Sequence, residues 1–189
     1  EGAWVINDTT GELTFTPVTN FNGAATAIQY TVNDNDSLTS NAGTVNVSLT
    51  AENDAPIVVD DTATVVEDMP LTIDVLSNDS DVDGSLDATS VAFVNPASGA
   101  TISTDGNTLT VPGEGVWVIN PTTGAITFTP ETNYTGTVTP IEYTVDDTDG
   151  FTSGHGTVNV TITAVNDAPV AADDSVTGTE DNAVSISVL

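Results

Sequence analysis

The chain has 189 residues, 38% hydrophobic and 5% aromatic, enough apolar material for a lean core in one or two domains. Its 28 acidic residues, absent Lys and Arg and single His give a formal net charge of −28, so nothing can neutralise phosphates and nucleic acid is excluded as a partner, while an anionic membrane surface would repel it. The absence of Cys excludes a disulfide framework, and no apolar run approaches the roughly 18 residues of a membrane-spanning helix, so no membrane insertion is expected.

Thr, Val, Asn, Asp and Ser dominate, which favours strands and turns over helix. The first residues, Glu1-Gly2-Ala3-Trp4-Val5-Ile6-Asn7, return as Glu114-Gly115-Val116-Trp117-Val118-Ile119-Asn120, an offset of 113 residues (117 − 4). The register then holds without a gap: Thr14-Phe15-Thr16-Pro17 returns as Thr127-Phe128-Thr129-Pro130, Tyr30-Thr31-Val32 as Tyr143-Thr144-Val145, and Asn53-Asp54-Ala55-Pro56 as Asn166-Asp167-Ala168-Pro169. A repeat of this length suits a β-sandwich of about 100 residues. The Asn-Asp-Ala-Pro tetrapeptides mark the boundaries, because Pro fixes an extended backbone and Asn-Asp disfavours a continuing strand. Residues 1–54 are therefore expected to be the C-terminal half of a preceding repeat, 55–166 a complete β-sandwich repeat and 167–189 the start of the next. The start at Glu1, with neither initiator Met nor signal peptide, reads as an internal piece of something longer.

Along the complete unit, short alternating runs follow one another. Leu71, Ile73 and Val75 share a face, followed by Val91 and Phe93, Leu109 and Val111, Ile126 and Phe128, then Ile141, Tyr143 and Val145, and finally Val158, Val160 and Ile162. Period-two patterning with polar residues between predicts antiparallel sheets, each with one wet face, packed on a shared core. Trp117 is the largest expected core anchor and Trp4 its equivalent. In isolation, the two truncated pieces are expected to be marginal.

Three acidic sets stand out as calcium ligands. Asn53, Asp54, Asp60 and Asp61 bracket the linker, with Glu67 and Asp68 close behind. Asp79-Ser80-Asp81-Val82-Asp83-Gly84 places carboxylates at every second position before a Gly, like the opening of an EF-hand loop, although Ser90 stands where its terminal Glu would be. Asp146, Asp147 and Asp149 form a late acidic turn. Calcium takes six to eight hard oxygens, and alternating carboxylates on a tight turn suit one ion. The linker set recurs as Asn166, Asp167, Asp173, Asp174, Glu180 and Asp181. A glycosidase pair would need an aromatic-lined cleft, which two Trp, three Tyr and five Phe spread over three repeat pieces do not suggest. His155 is Ala42 in the other copy, so a Ser-His-Asp site would be unique to one repeat. Catalysis is not expected, His155 is read as an exposed turn residue, and with no Lys or Arg no ion pair is expected.

Gly115-Val-Trp-Val-Ile-Asn-Pro-Thr-Thr-Gly124, Ile126-Thr-Phe-Thr-Pro130 and Pro140-Ile-Glu-Tyr-Thr-Val145 resemble the CshA-type fibrillar adhesin repeat. Asn53-Asp-Ala-Pro56, Asp60-Asp61, Glu67-Asp68 and Leu76-Ser-Asn-Asp-Ser-Asp-Val-Asp-Gly84 resemble the tandem cadherin-like and bacterial immunoglobulin-like repeats of large RTX adhesins, although the RTX nonapeptides themselves are absent. The resemblance implies an all-β fold of immunoglobulin/cadherin-like antiparallel β-sandwich repeats in tandem. It also implies an extracellular place on a bacterial surface, with calcium ions and neighbouring repeats of the same chain as partners. The expected role is a calcium-binding structural extender that holds a distal binding region away from the cell. The alternative is a repeat that itself binds a glycan, a cell-surface or matrix ligand. Two copies that match without an insertion favour the extender.

Overall fold

The structure, a computed structural model, describes residues 1–188; Leu189, the last residue expected to belong to the next repeat, lies outside them. No described residue is helical.

Residues 1–54 form only small paired pieces. Strand β1 (Gly2–Ile6) forms a hairpin with β2 (Leu13–Pro17), while β3 (Gly23–Ala24) pairs with β6 (Ser48–Leu49), and β4 (Ile28–Tyr30) with β5 (Gly43–Val45). Within residues 1–50 only Ala25 is buried.

The next ten strands build one sandwich. They are β7 (Asp61–Val66), β8 (Leu71–Ile73), β9 (Leu86–Val94), β10 (Thr101–Ile102), β11 (Thr108–Val111), β12 (Gly115–Ile119), β13 (Ile126–Pro130), β14 (Gly136–Thr137), β15 (Ile141–Asp147) and β16 (Gly156–Thr163). One sheet has the order β10-β11-β12-β13-β8. In the other, β16 pairs with β7 along one edge, from Val158↔Asp61 to Thr163↔Val66, so β14 and β15 must share its opposite edge, and β9 lies outside β15. A bulge between Thr144 and Asp146 bends β15 as it runs into the late acidic turn.

The inward faces are those that alternation indicates. Val75, Val91, Phe93, Leu109, Trp117, Ile126, Phe128, Tyr143, Val145, Val158 and Val160 are all buried in a single core cluster. Trp117 and Phe128 face each other across the β12–β13 ladder with ring centroids 4.4 Å apart, an aromatic contact that adds to the roughly 1.5–3 kcal/mol that each large apolar side chain contributes by burial. One strand departs from the antiparallel expectation: β7 runs parallel to β16. Alternation fixes which face a strand buries but not its direction, and nearly the whole unit separates these two strands, ample chain for a parallel connection.

Beyond β16, residues 164–188 form no strand and are exposed. A turn at Glu180–Asp181 is their main regular feature, with Asp181 at φ 64°.

Candidate functional site

The acidic residues gather at the end of the sandwich where the chain enters it, because backbone pairing brings the linker against the 79–84 loop. Ile57 and Ser80 exchange both backbone hydrogen bonds, at 2.8 and 3.0 Å. That bridge aligns residues 57–60 beside Asn78 and Asp79: the Val59 N–H donates to Asp79 Oδ1 at 2.8 Å, and the Asn78 amide donates to the Val59 carbonyl at 3.2 Å.

Two groups of carboxylates result. The inner one is built around Tyr143, whose hydroxyl lies 2.9 Å from Asp79 Oδ2, 3.4 Å from Asp61 Oδ2 and 3.0 Å from the Val75 carbonyl. A phenol has one proton to donate among these three acceptors. Asp61 is only 8% exposed. Burial, with the nearby Asp79 charge, pushes its carboxyl up to about 6 despite hydrogen bonds from Tyr143 and Asn78. Burial likewise raises Asp79, against the opposing bonds from Val59 and Tyr143. The tyrosine hydroxyl is raised too, by burial and by its carboxylate neighbours.

The outer group joins the linker to two loops. Asn53 Nδ2 donates to Asp147 Oδ2 at 2.6 Å, and the Asp54 N–H reaches Asp83 Oδ2 at 3.2 Å. Asp81 Oδ1 accepts from the N–H groups of Asp83 and Gly84 at 3.0 and 2.7 Å, closing the turn, whereas its Oδ2 is buried with no hydrogen-bond partner. Lost hydration raises the Asp83 carboxyl; the Asp54 N–H opposes this, and the Asp81 and Asp54 charges add to it. Asp147 is 2% exposed. Burial raises its carboxyl, but the N–H donors of Phe151, Asp149 and Gly150 and the Asn53 amide outweigh this and hold it below the ordinary carboxylate value.

The structure therefore brings Asn53, Asp54, Asp81, Asp83 and Asp147 to one joint. Asp79, expected to share the loop's ion with Asp81 and Asp83, is instead turned to Tyr143 beside Asp61. Asp60 caps the start of β16 by accepting from the Thr157 N–H at 2.9 Å. Glu67 and Asp68 belong elsewhere. Glu67 is buried and accepts from the Val165 N–H, while Asp68, at φ 61°, accepts from the Asn133 N–H at 2.9 Å. Asp146 is half-buried beside Ser90, whose Oγ receives its N–H, and Asp149 is exposed with its N–H on Asp147. Among the described residues no three acidic or His side chains meet in an arrangement that would hold a metal ion. The donors at the joint are nevertheless all hard oxygens, and the unpartnered Asp81 Oδ2 is an acceptor that a cation would satisfy.

Tyr143 and Asn78 are the participants that sequence reasoning missed. Tyr143 was read only as a core residue, yet its recurrence as Tyr30, where Phe would fill the same space, hints that the hydroxyl is used. His155 corrects the expectation of no ion pair: its Nδ1 is 3.1 Å from Glu142 Oε2 and pairs with it when protonated.

An all-β sandwich with an acidic entry end, preceded by residues that repeat part of its own sequence, is the class that this fold and this joint define. The chain belongs to the bacterial cadherin-like domain family, whose model matches residues 53–164. The family is one of structural and adhesive domains, typical of extracellular surface proteins. No curated protein matches the chain.

Proposed function

We propose that the chain is a calcium-binding extender segment of a bacterial surface adhesin, related to the RTX-type and CshA-type repeat proteins, that holds a distal binding region away from the cell. The observation that carries this reading is the joint. Asn53 and Asp54, from the end of one repeat unit, hydrogen bond to Asp147 and Asp83 of the next, among carboxylates that no Lys or Arg neutralises. Asn53, Asp54, Asp81, Asp83 and Asp147 would hold the ion by drawing together around it, since among the described residues no three acidic side chains already stand in a metal-holding arrangement. Calcium would supply the positive charge that the joint lacks and turn repulsion across it into shared coordination.

Small-angle scattering on a tandem of several whole repeats tests the proposal. A rod in millimolar calcium that bends in chelator is the expected result, with calorimetry giving a Kd in the roughly 10⁻⁴–10⁻³ M range common for extracellular modules. Superimposable scattering in the two conditions, with the sandwiches still folded, would sink the stiffening role. Absence of calcium binding heat would remove the ion altogether.

A further inference from the structure

The Glu142–His155 pair closes on a third side chain where β9 ends. Asn95 follows Val94, which is opposite Glu142 in the β15–β9 ladder, and His155 precedes Gly156, which is opposite Tyr143 in the β15–β16 ladder. Asn95 Nδ2 lies 2.8 Å from Glu142 Oε2 and 3.0 Å from His155 Nδ1. Both of its protons can therefore be accepted, one by the carboxylate and one by an imidazole whose Nδ1 is unprotonated. Of the two copies only this one has the pair, since Gln29 and Ala42 stand at the positions of Glu142 and His155 in the first.

The backbone at Asn95 is unusual as well. It holds φ 45°, in the left-handed region that few residues other than Gly enter, although the next residue, Pro96, favours extended backbone before it. Strain of this kind persists where the surroundings hold it and gathers at sites that use it. Pro96 also closes a chemical route. Asn residues ordinarily form a cyclic imide when the next main-chain nitrogen attacks the side-chain amide, and a Pro nitrogen has no proton to lose in that reaction. The closure that remains runs the other way, from the side-chain nitrogen onto the residue's own carbonyl carbon.

We propose that the chain cuts itself at the Asn95–Pro96 bond. Asn95 Nδ2 attacks the Asn95 main-chain carbonyl carbon, an intramolecular step favoured by its tether. Glu142 and His155 take the proton that Nδ2 loses, and the Pro96 nitrogen gains one as the C–N bond breaks and leaves it as a secondary amine. Residues 95 and 96 are exposed, so solvent can carry that proton. The products are residues 1–95 ending in a cyclic imide and a chain beginning at Pro96. Water then opens the imide to a C-terminal Asn or isoasparagine. The halves stay together in the fold, because β7, β8 and β9 remain paired with β16, β13 and β15. Neither calcium nor the extender role enters the argument.

A second Asn–Pro bond serves as an internal control. Asn120 precedes Pro121, but its Oδ1 accepts from the N–H groups of Thr122 and Thr123, and among the described residues no carboxylate or imidazole meets its Nδ2.

Mass spectrometry of the full chain, denatured after weeks at neutral pH and physiological temperature, should show 1–95 and 96–189 beside the parent. The first fragment should initially be one water lighter than a protease would leave it, and the 120–121 bond should stay whole. Asn95→Gly, which keeps the left-handed backbone and removes the amide, should abolish the cut. Glu142→Gln with His155→Ala, the residues of the other copy, should slow it by about 10²-fold, the lower end of what general acid–base catalysis contributes. Circular dichroism should show both variants folded. A parent that stays intact, a cut that survives Asn95→Gly, or a double variant that cuts at the parental rate would overturn the proposal.

Discussion

Residues 1–54 and residues 114–167 are two copies of one repeat segment, identical at well over half of their positions, in two settings. In both, a Trp-bearing strand pairs with a Phe-bearing one in identical register, Trp4↔Phe15 and Trp117↔Phe128, with centroids 4.9 and 4.4 Å apart. Trp117 is fully buried, whereas Trp4 is only half-buried and its neighbours Val5 and Ile6 are 62% and 54% exposed. The hairpin is thus specified locally by alternation and turn chemistry. In the second copy its burial is supplied by β7 to β11.

The largest difference between the settings should appear on truncating the aromatic anchors. Trp117→Ala should cost about 3–5 kcal/mol in denaturant unfolding of the complete repeat, while Trp4→Ala should leave that transition unmoved. Equal effects would mean that the two copies fold as one cooperative unit.

Calcium removal comes next. From a loaded sample at a hundredfold excess over Kd, chelation should remove about 2.7 kcal/mol and lower the Tm of the complete repeat. Asp81→Asn combined with Asp83→Asn should abolish that response. A response that persists would place the ion elsewhere.

Tyr143→Phe should be smaller, roughly 1–3 kcal/mol, because it removes the one hydroxyl shared by Asp61, Asp79 and the Val75 carbonyl. Tyr30→Phe should be neutral, since Tyr30 is 49% exposed. Both rings lie over a glycine, Gly156 and Gly43, where an added Cβ would sit 2.6 and 2.8 Å from ring carbons. Gly156→Ala should therefore mimic Tyr143→Phe in sign, and Gly43→Ala should not.

The smallest effect is on pH. Asp61 is pushed up to about 6 in the fold, against about 3.9 unfolded, so the native state keeps a proton that the unfolded chain has lost. Its stabilising contribution is complete below about pH 4 and lost as the pH rises through 6. In chelator, acidification from pH 7 to 5 should raise the Tm. Asp147, held below the ordinary value, works with the opposite sign: its contribution is present above the unfolded carboxylate pKa and lost as the pH falls through its own lowered value. The Asp61→Asn chain should lose the upward trend between pH 7 and 5.

Sequence periodicity located the core well, because alternation is a direct record of which face meets apolar neighbours. Val91 and Phe93, Ile141, Tyr143 and Val145, and Val158, Val160 and Ile162 are all buried as their pattern requires. It could not assign the acids to partners. Asp79, Asp81 and Asp83 look equivalent in a loop pattern, and only the Ile57–Ser80 bridge, a contact across 23 residues (80 − 57), turns Asp79 inward to Tyr143. Glu67 and Asp68 read as ligands by composition, yet their neighbours Val165 and Asn133 lie far along the chain and make them clasps for backbone N–H groups.

The parallel pairing of β7 with β16 bears on how the unit carries tension. Six consecutive residue pairs join these strands, from Asp61↔Val158 to Val66↔Thr163. A pull on the incoming linker and the outgoing segment draws one strand backward along the other. The hydrogen bonds between them then lie across the line of force and share the load together, whereas an antiparallel pair pulled from one end would peel bond by bond. Under load, the first and last strands of the complete repeat would act as a mechanical clasp, as the proposed extender role requires.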